Sequence, residues 1–269
     1  MKNKIFRTIL LVIISYLMIC LAMYIIQNSL LYRPSKIHNL QNFPLAKNWR
    51  RVNTLTQDGL IITSWYLPAK KGFKTILYLH GNAGDIVNRK TFSMQLHQQG
   101  YGIFLLSYRG FANNPGKPSE QGLLFDSQSA YQWLVSNNIL PEQIILFGES
   151  LGAANAIKLA SKNTVFAVIL ESPFYSMLAM GQFLYPWLPV NYLLKDKYLS
   201  YRWAQQVKQP VLIFYGLKDE IIPYQQVRDL QLAFPQGKNY LVLMPEQTHN
   251  RKSGDEMATI IRLFEQSYF

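Results

Sequence analysis

Apolar runs alternate with amphipathic segments along most of this 269-residue chain. The first run, residues 8–32, contains no charged side chain and is dense in Ile, Leu, Val and Met. At about 1.5 Å per residue it is long enough to cross a hydrocarbon layer of roughly 30 Å. Residues 1–33 are therefore predicted to be a transmembrane anchor. Basic residues flank the run on both sides: Lys2, Lys4 and Arg7 before it, Arg33 and Lys36 after it.

A cleaved signal peptide is the competing interpretation of this segment. Its apolar region would span about 7–15 residues and end at a small-residue cleavage site, whereas this run is longer and no such site follows it. A lipoprotein signal is disfavoured because Ile19, which precedes Cys20, is bulky where those signals need a small residue. The basic N-terminal cluster favours a cytoplasmic N-terminus, which places the rest of the chain on the opposite side, the periplasm if the protein is bacterial.

The pattern of short strands begins after a polar, proline-containing linker at 34–50. Residues 52–56 and 60–67 flank Asp58-Gly59, a two-residue turn signal, and are predicted to form a hairpin. Apolar runs suited to strands buried on both faces follow at 74–80, 102–107, 143–147, 166–170, 211–215 and 239–244. Helical patterns lie between and after them, at 85–99, 119–137, 150–162, 224–233 and 254–266.

This alternation predicts the fold class for residues 51–269. Strands that alternate with helices indicate an α/β domain with a mostly parallel central sheet, helices on both faces and the hairpin at its antiparallel edge. The alternation breaks at 173–208, which is crowded with aromatic residues and prolines. We interpret that break as a small helical cap over the strand ends, with an ordinary crossover as the alternative. The candidate acyl-binding residues in this cap are Phe183, Tyr185, Trp187, Leu188 and Leu193. The alternative is that these side chains only pack in the hydrophobic core.

Composition and charge exclude several classes of protein. With 49% hydrophobic and 16% charged residues, the chain is not mainly disordered. One cysteine excludes an internal disulfide framework, and four scattered histidines form no obvious metal cluster. The net charge of +12 favours anionic surfaces such as a membrane. The chain has no run of five or six basic residues, so nucleic acid is not indicated as a partner.

The clearest chemical signal is Gly148-Glu149-Ser150-Leu151-Gly152, which lies between a predicted strand and a predicted helix. This is the G-x-S-x-G pattern in the context that a nucleophile elbow requires. Gly148 and Gly152 remove side chains that would collide in the sharp turn on which the serine must lie. The helix N-terminus behind the serine offers free backbone N–H groups. Ser150 is therefore the predicted nucleophile.

A nucleophilic serine needs a general base, and the base needs an orienting acid, here expected in the order Ser, acid, His. His249 is the only histidine after Ser150, and it lies between the last predicted strand and the last helix, so it is the predicted base. Asp219 follows the predicted strand 211–215 and is the predicted acid. Glu171, at the end of the predicted strand 166–170, is the competing candidate.

An oxyanion intermediate needs two backbone donors. One is expected to be the N–H of Leu151, which follows the nucleophile, and the other comes from the loop after the first central strand. That loop, at 80–84, contains two glycines that let it bend towards the substrate. Asn82 is the predicted second donor, and Ala83 is the alternative. His80, which precedes the bend, is expected to be structural rather than catalytic.

Together these residues resemble the small membrane-anchored α/β-hydrolase-domain proteins of bacteria and eukaryotes. The resemblance extends over nearly the whole chain. It rests on the N-terminal anchor and on the motifs LYLHGNAG, SYRGF with a downstream PSEQGL, GESLG, ESPF, YPWLP, GLKDEIIP and THN. The resemblance implies an α/β-hydrolase fold and a serine hydrolase with Ser150, Asp219 and His249 as catalytic triad.

The family also indicates what the substrate is expected to be. Its members include protein depalmitoylating thioesterases, which usually carry an N-terminal cysteine cluster that this chain lacks. Close relatives often have Asp at the position of Ser107, two residues before Arg109, a residue that could pair with a buried acid such as Asp126. We expect hydrolysis of acyl esters or thioesters without a metal or organic cofactor. An amidase or peptidase with the same triad, or a non-catalytic binding protein, are the alternatives.

Overall fold

The computed structural model describes residues 1–35, 39–249 and 254–268. Lys36 and Asn250, the last residue of the THN motif, lie outside the described residues. The chain begins with a 30-residue helix, α1 (Lys2–Leu31), which is long and apolar enough to cross a membrane. A short strand, β1 (Arg33–Pro34), follows it directly. The anchor segment predicted from the sequence is therefore one continuous helix that leads into the rest of the chain.

An eight-stranded sheet lies at the centre of the molecule. The strands after β1 are β2 (Arg50–Leu55), β3 (Ile61–Leu67), β4 (Thr75–Leu79), β5 (Ala83–Gly84), β6 (Gly102–Leu106), β7 (Ile144–Glu149), β8 (Ala167–Glu171), β9 (Val211–Gly216) and β10 (Asn239–Met244). The order in the sheet is β10-β9-β8-β7-β4-β6-β3-β2, while β5 pairs with β1 in a separate two-stranded sheet. Strand β3 runs antiparallel to β2 and β6, and the remaining pairs are parallel.

Helices cover both faces of this sheet. They are α2 (Lys90–Gln98), α3 (Glu120–Ser136), α4 (Leu151–Ala160), α5 (Met177–Leu184), α6 (Val190–Leu193), α7 (Ser200–Ala204), α8 (Tyr224–Ala233) and α9 (Gly254–Gln266). Helices α3, α4 and α8 contribute to one apolar core, and α2 and α9 contribute to the other. The predicted α/β class with an antiparallel edge hairpin is therefore confirmed. The predicted helix 85–99 instead begins with a 3-10 turn, Ile86–Arg89, which Asp85 caps.

The central strands are buried on both faces, as their continuous apolar sequences predict. Every residue of β4 is buried, and its Thr75 is the register partner of Gly102 in β6 and of Ile144 in β7. Tyr78 stacks on Phe147 of the next strand with ring centroids 4.8 Å apart. Burial of such large apolar side chains stabilises the fold by about 1.5–3 kcal/mol each. This buried sheet is the rigid support on which the site described below lies.

Arg109, in the loop after β6, joins two carboxylates at the edge of the sheet. Its Nη2 lies 2.8 Å from Oδ1 of Asp126, and its Nη1 lies 2.6 Å from Oδ2 of Asp58. The guanidinium and the Asp126 carboxylate are almost completely buried. The pairing of Arg109 with Asp126 that the sequence suggests is confirmed, and Asp58 of the hairpin turn is a second partner.

The break at 173–208 carries the three short helices α5, α6 and α7. Cys20 of α1 packs against Leu188 and Val190, so this segment contacts the N-terminal helix as well as the sheet domain. At the end of α1, Tyr32 shares a 2.8 Å hydrogen bond between hydroxyl groups with Tyr198. The segment therefore lies between the N-terminal helix and the carboxyl ends of the strands.

Candidate active site

Ser150 lies in the turn between β7 and α4, with φ 51° and ψ −111°. A positive φ is uncommon for a residue with a side chain and indicates a strained turn. The flanking glycines are required sterically. A Cβ on Gly152 would lie 2.0 Å from the carbonyl oxygen of Leu79, and one on Gly148 would lie 2.5 Å from the Cα of Ala153. The G-x-S-x-G sequence thus produces this local conformation because larger residues do not fit against β4 and α4.

His249 contacts the predicted acid. Its Nδ1 lies 2.8 Å from Oδ2 of Asp219 and 3.1 Å from Oδ1. The carboxylate is completely buried, and its Oδ1 also accepts hydrogen bonds of 2.9 Å from the backbone N–H groups of Ile221 and Ile222. An imidazole that donates its Nδ1–H to a carboxylate keeps Nε2 as a proton acceptor. This is the arrangement that a general base needs.

The pKa of the Asp219 carboxyl is lower than its ordinary value. Burial is the largest single effect and raises this pKa, but the hydrogen bond from His249, the Ile222 N–H, the charge of His249 and the Ser172 hydroxyl together outweigh it. The carboxylate therefore stays ionised near neutral pH. An ionised acid at this position stabilises the imidazolium that forms when the histidine takes up a proton.

Glu171 and Glu220 occupy different positions from Asp219. Glu171 is the register partner of Glu149, and its backbone oxygen accepts a 2.8 Å hydrogen bond from the N–H of Ser150. Glu220 accepts the backbone N–H of His249 at 3.3 Å and so helps to hold the histidine loop. The structure thus brings Asp219, rather than the competing Glu171, to the imidazole. The positioning contact of Glu220 is one that sequence reasoning missed.

The loop after β4 lies on the same cavity as Ser150 and His249, and its Asn82 lines that cavity together with Leu151. Leu151 is the first residue of α4, where backbone N–H groups have no partner within the helix. The Asn82 side chain donates to the carbonyl of Leu31 at 3.0 Å, and its backbone oxygen accepts the N–H of Arg33 at 2.9 Å. The end of α1 therefore holds this loop in place, a contact that the sequence alone does not suggest.

A buried ion pair supports the loop from the other side. Arg89 Nη2 lies 2.6 Å from Oε1 of Glu149, and its Nη1 donates to the carbonyl of Ala83 at 2.9 Å. The Tyr78 hydroxyl donates to Oε2 of the same glutamate at 2.7 Å. Burial is the largest single effect and lowers the pKa of the Arg89 guanidinium, but the charge and hydrogen bond of Glu149, with smaller contributions from Tyr78 and Glu171, together raise it. Sequence reasoning missed this pair, although Glu149 is the variable position of the elbow motif.

His80 is completely buried beneath this loop. Its Nδ1 lies 2.7 Å from the carbonyl oxygen of Gly81, and its ring packs 4.5 Å from the Tyr108 ring and 5.0 Å from the Phe111 ring. Burial, with the charge of Arg89, lowers the pKa of His80 to about 4. The imidazole is thus neutral at physiological pH, as expected for a structural histidine.

A cavity of about 500 Å³ brings these groups together, with Ser150, Leu151, Asn82 and His249 on its wall. Three of the five cap candidates line it: Tyr185, Leu188 and Leu193. The other two, Phe183 and Trp187, are 61% and 54% exposed and lie outside the lining. The prediction that Phe183 and Trp187 line the acyl-binding cavity is therefore wrong. Aromatic density in a sequence does not tell which side of a short helix faces inwards. Unpredicted lining residues of the cap are Phe174, Met177, Met180, Gly181, Leu184, Val190 and Leu194.

The N-terminal helix also forms part of this wall, through Met23, Gln27, Leu30 and Leu31. Arg33, just after the helix, lies at the same cavity. The sequence contains no signal for this placement, because a helix that is apolar on nearly all sides does not show which side will meet the rest of the chain. The cavity therefore has one wall built on the sheet and another built from the cap and α1.

Comparisons with known proteins identify relatives over most of the chain. Residues 70–195 match the family model described as serine aminopeptidase, S33. The Mycobacterium tuberculosis protein Rv2307c is 39% identical over 227 residues, which cover 83% of this chain and 80% of that protein. The Saccharomyces cerevisiae membrane protein YNL320W is 30% identical over 240 residues, with 85% and 84% covered. The Pyrococcus furiosus esterase Pf2001 matches with a TM-score of 0.68 at 20% identity, covering 88% of this chain and 98% of that one.

Proposed function

The chain belongs to the α/β-hydrolase superfamily and is a hydrolase, and we propose that it is a membrane-tethered serine hydrolase of carboxylic esters or thioesters. The observation that carries this proposal is the strained Ser150 elbow on the same cavity as His249, whose Nδ1 lies 2.8 Å from Asp219. A nucleophile and a base on one cavity, with a buried acid that orients the base, are the groups that acyl transfer requires.

In the proposed mechanism, Nε2 of His249 takes the hydroxyl proton of Ser150 as the serine Oγ attacks the acyl carbon. Asp219 holds the imidazole and stabilises its cation. The backbone N–H groups of Leu151 and Asn82 bind the negative oxygen of the tetrahedral intermediate. The imidazolium then protonates the leaving alcohol or thiol as its bond to the acyl carbon breaks. Water, deprotonated by the same histidine, releases the carboxylic acid and restores the serine.

The lining of the cavity favours an acyl chain as the recognised group. Its cap wall is mainly apolar, and its acid, Glu149, is already paired with Arg89. An aminopeptidase needs a carboxylate for the ammonium group of its substrate, and this glutamate is neutralised. The family model is nonetheless named for serine aminopeptidases, so the bond that is cleaved needs a direct test. A panel of acyl esters, acyl thioesters and aminoacyl amides of matched size provides it, with faster turnover of the esters or thioesters expected.

The experiment that tests the mechanism is labelling of the full-length protein in detergent with a fluorophosphonate probe. Wild-type protein is expected to react at Ser150, whereas Ser150→Ala is expected to remain unlabelled. Ser161→Ala provides a matched control, because this serine lies at the other end of α4. Absence of labelling in the folded wild-type protein would contradict the proposal and favour a non-catalytic binding protein.

We also propose that residues 1–33 anchor the protein with a cytoplasmic N-terminus, that 34–50 link the anchor to a hydrolase domain at 51–269, and that 173–208 form its cap. The apolar helix α1 and the membrane-protein relative support this arrangement. Because salt does not weaken apolar insertion, high salt should leave the protein in the membrane fraction and detergent should release it. Protease added on the side opposite the N-terminus should reach the domain. A mature N-terminus near residue 28–35 would show cleavage and contradict the anchor.

A further inference from the structure

The cap and the N-terminal helix contact each other along much of α1. Cys20 packs against Leu188 and Val190, with Met23 beside them. Nearer the end of the helix, Lys195 lies 4.0 Å from the ring centre of Tyr24. These contacts lie within the apolar run that the proposed function places in the membrane. They therefore raise the question of how deep the cap itself lies.

Polar side chains of α1 satisfy backbone groups of the cap at this contact. The Tyr16 hydroxyl donates to the carbonyl of Trp187 at 2.9 Å. The Gln27 side chain donates to the carbonyl of Leu193 at 3.1 Å and accepts the N–H of Lys195 at 2.8 Å. In a hydrocarbon layer every irregular backbone group needs such a partner, because no water is present to replace it. These three backbone groups of the cap are thus bonded in the way that immersion in lipid requires.

The length of α1 determines how deep this contact lies. The hydrocarbon core needs about 20 helical residues, so a span that starts after Arg7 ends near Gln27. Tyr24, just inside that edge, has Lys195 over its ring, a pair typical of the membrane interface. Tyr16 lies eight residues deeper, or about 12 Å at 1.5 Å per residue. The Trp187 carbonyl that it contacts must lie at a similar depth.

Most of the exposed surface at the tip of the cap is apolar, and of its two exposed amides the Gln182 side chain donates to Oδ1 of Asn191 at 3.3 Å. Large apolar side chains on this surface are strongly exposed: Phe183 by 61%, Trp187 by 54% and Tyr192 by 88%. The apolar side chains of α1 are exposed in the same way, with Leu17 and Leu21 more than half exposed. A leaflet of lipid that surrounds the helix would therefore cover the cap as well.

The reacting groups lie at the depth of lipid ester bonds. Asn82 is hydrogen-bonded to Leu31, which is four residues beyond Gln27, or about 6 Å outside the hydrocarbon edge. A bilayer of about 40–45 Å with a hydrocarbon core of about 30 Å leaves roughly 5–7 Å of interface on each side, where the ester groups of lipids lie. From there the cavity extends along α1 through Leu30 and Gln27 to Met23, into the hydrocarbon.

We propose that the tip of the cap is immersed in the lipid leaflet, and that the substrate is an acyl lipid of that leaflet whose chain enters the cavity sideways between α1 and the cap. This inference rests on the proposed function, because it assigns the substrate of the same serine. The ester carbonyl meets Ser150 at the interface, and the acyl chain stays in an apolar environment along Met23 and Leu188.

The depth of the cap can be measured without any activity. In a Cys20→Ala background, nitroxide labels at Trp187→Cys and Tyr192→Cys report their surroundings after reconstitution into phosphatidylcholine vesicles. Oxygen should broaden their spectra, whereas a water-soluble nickel chelate should not. A label at Leu232→Cys should respond to nickel, because this side chain is 63% exposed on α8, a helix that packs on the sheet. Cap labels that respond to nickel as position 232 does would overturn the immersion.

The path of the acyl chain is tested by narrowing the cavity at its deep end. Met23→Trp adds bulk to the wall about 12 Å from Leu31. We expect the ratio of kcat/KM for 1-oleoylglycerol in phosphatidylcholine vesicles to that for a soluble acetyl ester to fall roughly tenfold, because added bulk in a packed wall excludes the acyl chain. Ile25→Trp, on the side of α1 that is 67% exposed, should leave this ratio unchanged. An unchanged ratio in Met23→Trp would overturn the path.

These results separate the inference from the proposed function. A protein that reacts with fluorophosphonate at Ser150 but has water-exposed cap labels is a serine hydrolase that takes its substrate from solution. A protein without fluorophosphonate labelling is not a serine hydrolase, wherever its cap lies.

Discussion

The two walls of the cavity are held by different kinds of contact. On the sheet wall, backbone atoms decide the geometry: Gly152 lies so close to Leu79 that no Cβ fits between them, and Ser150 is held at φ 51°. On the other wall, side chains of the cap and α1 meet in a small cluster around Cys20 and Leu188. A backbone contact admits few substitutions, whereas a side-chain contact can be repacked. The sheet wall is therefore suited to fixed chemistry, and the cap wall to a choice of substrate.

The same contrast appears in what supports each wall. The sheet wall is attached to strands β4, β7, β8 and β9, whose residues are almost entirely buried. The cap wall is held to α1 by three hydrogen bonds that involve the side chains of Tyr16 and Gln27 and by apolar contacts. Changes on the sheet wall should therefore affect all substrates alike, and changes on the cap wall should affect some substrates more than others.

The largest effect is expected for Ser150→Ala. Loss of a triad member should lower ester turnover by roughly 10⁴–10⁶ for every acyl chain, because the attacking atom is removed. The thermal midpoint should not fall, because a strained side chain is only shortened. Turnover of an ester series and thermal unfolding check this. Activity that survives in the folded variant would contradict the assignment of the nucleophile.

Asp219→Asn should lower turnover by about 10⁴, because an amide disturbs the tautomer of His249. Glu220→Gln is the matched control, since Glu220 contacts the backbone of the histidine loop and not its ring. Its effect should be much smaller and again equal for all chain lengths. Steady-state kinetics of both variants and of Glu171→Gln test the choice of acid. A greater loss in Glu171→Gln than in Asp219→Asn would assign the acid to β8.

The cap wall should show its role in the response to acyl chain length. Each methylene removed from water contributes about 0.8 kcal/mol, nearly fourfold in kcat/KM, until the cavity is full. Leu188→Ala should flatten this rise, because Leu188 lines the cavity. Trp187→Ala should leave the rise as in the wild type, because that ring is directed away from the cavity. A soluble series of short acyl esters measures both slopes. Equal losses of kcat/KM on acetyl and longer esters in Leu188→Ala would mean that the cap shields the cavity but does not select the acyl chain.

The smallest effect concerns the edge of the sheet. Hydrogen bonds from Arg109 lower the pKa of Asp58, against the opposing effect of burial. An acid with a lowered folded-state pKa stabilises the fold above its unfolded pKa of about 4, and this contribution disappears as the pH falls through the folded value. Denaturant unfolding of Asp58→Asn between neutral and acidic pH should therefore show a shallower acid decline than the wild type. Identical slopes would mean that Asp58 contributes nothing to acid stability.

Sequence patterns determined those features that depend on neighbours along the chain. The strands were predictable because each is a short apolar run that must be buried on both faces. The Ser150 turn was predictable because its two glycines and the flanking strand and helix lie within a few residues. The pairing of Arg109 with Asp126 was suggested by a charged residue next to a buried strand. In each case local chemistry restricts the backbone to few conformations.

The tertiary structure alone decided which distant segments meet. Nothing in the mainly apolar sequence of α1 indicates that Met23 and Leu30 line a cavity, or that Leu31 holds Asn82. The outward direction of Trp187 likewise depends on how short helices dock rather than on their composition. Docking of this kind depends on shape and on a few hydrogen bonds between segments more than 150 residues apart, such as that of Gln27 with Leu193. Such contacts leave no periodic signal in the sequence, because each involves single residues whose partners are defined only once the chain has folded.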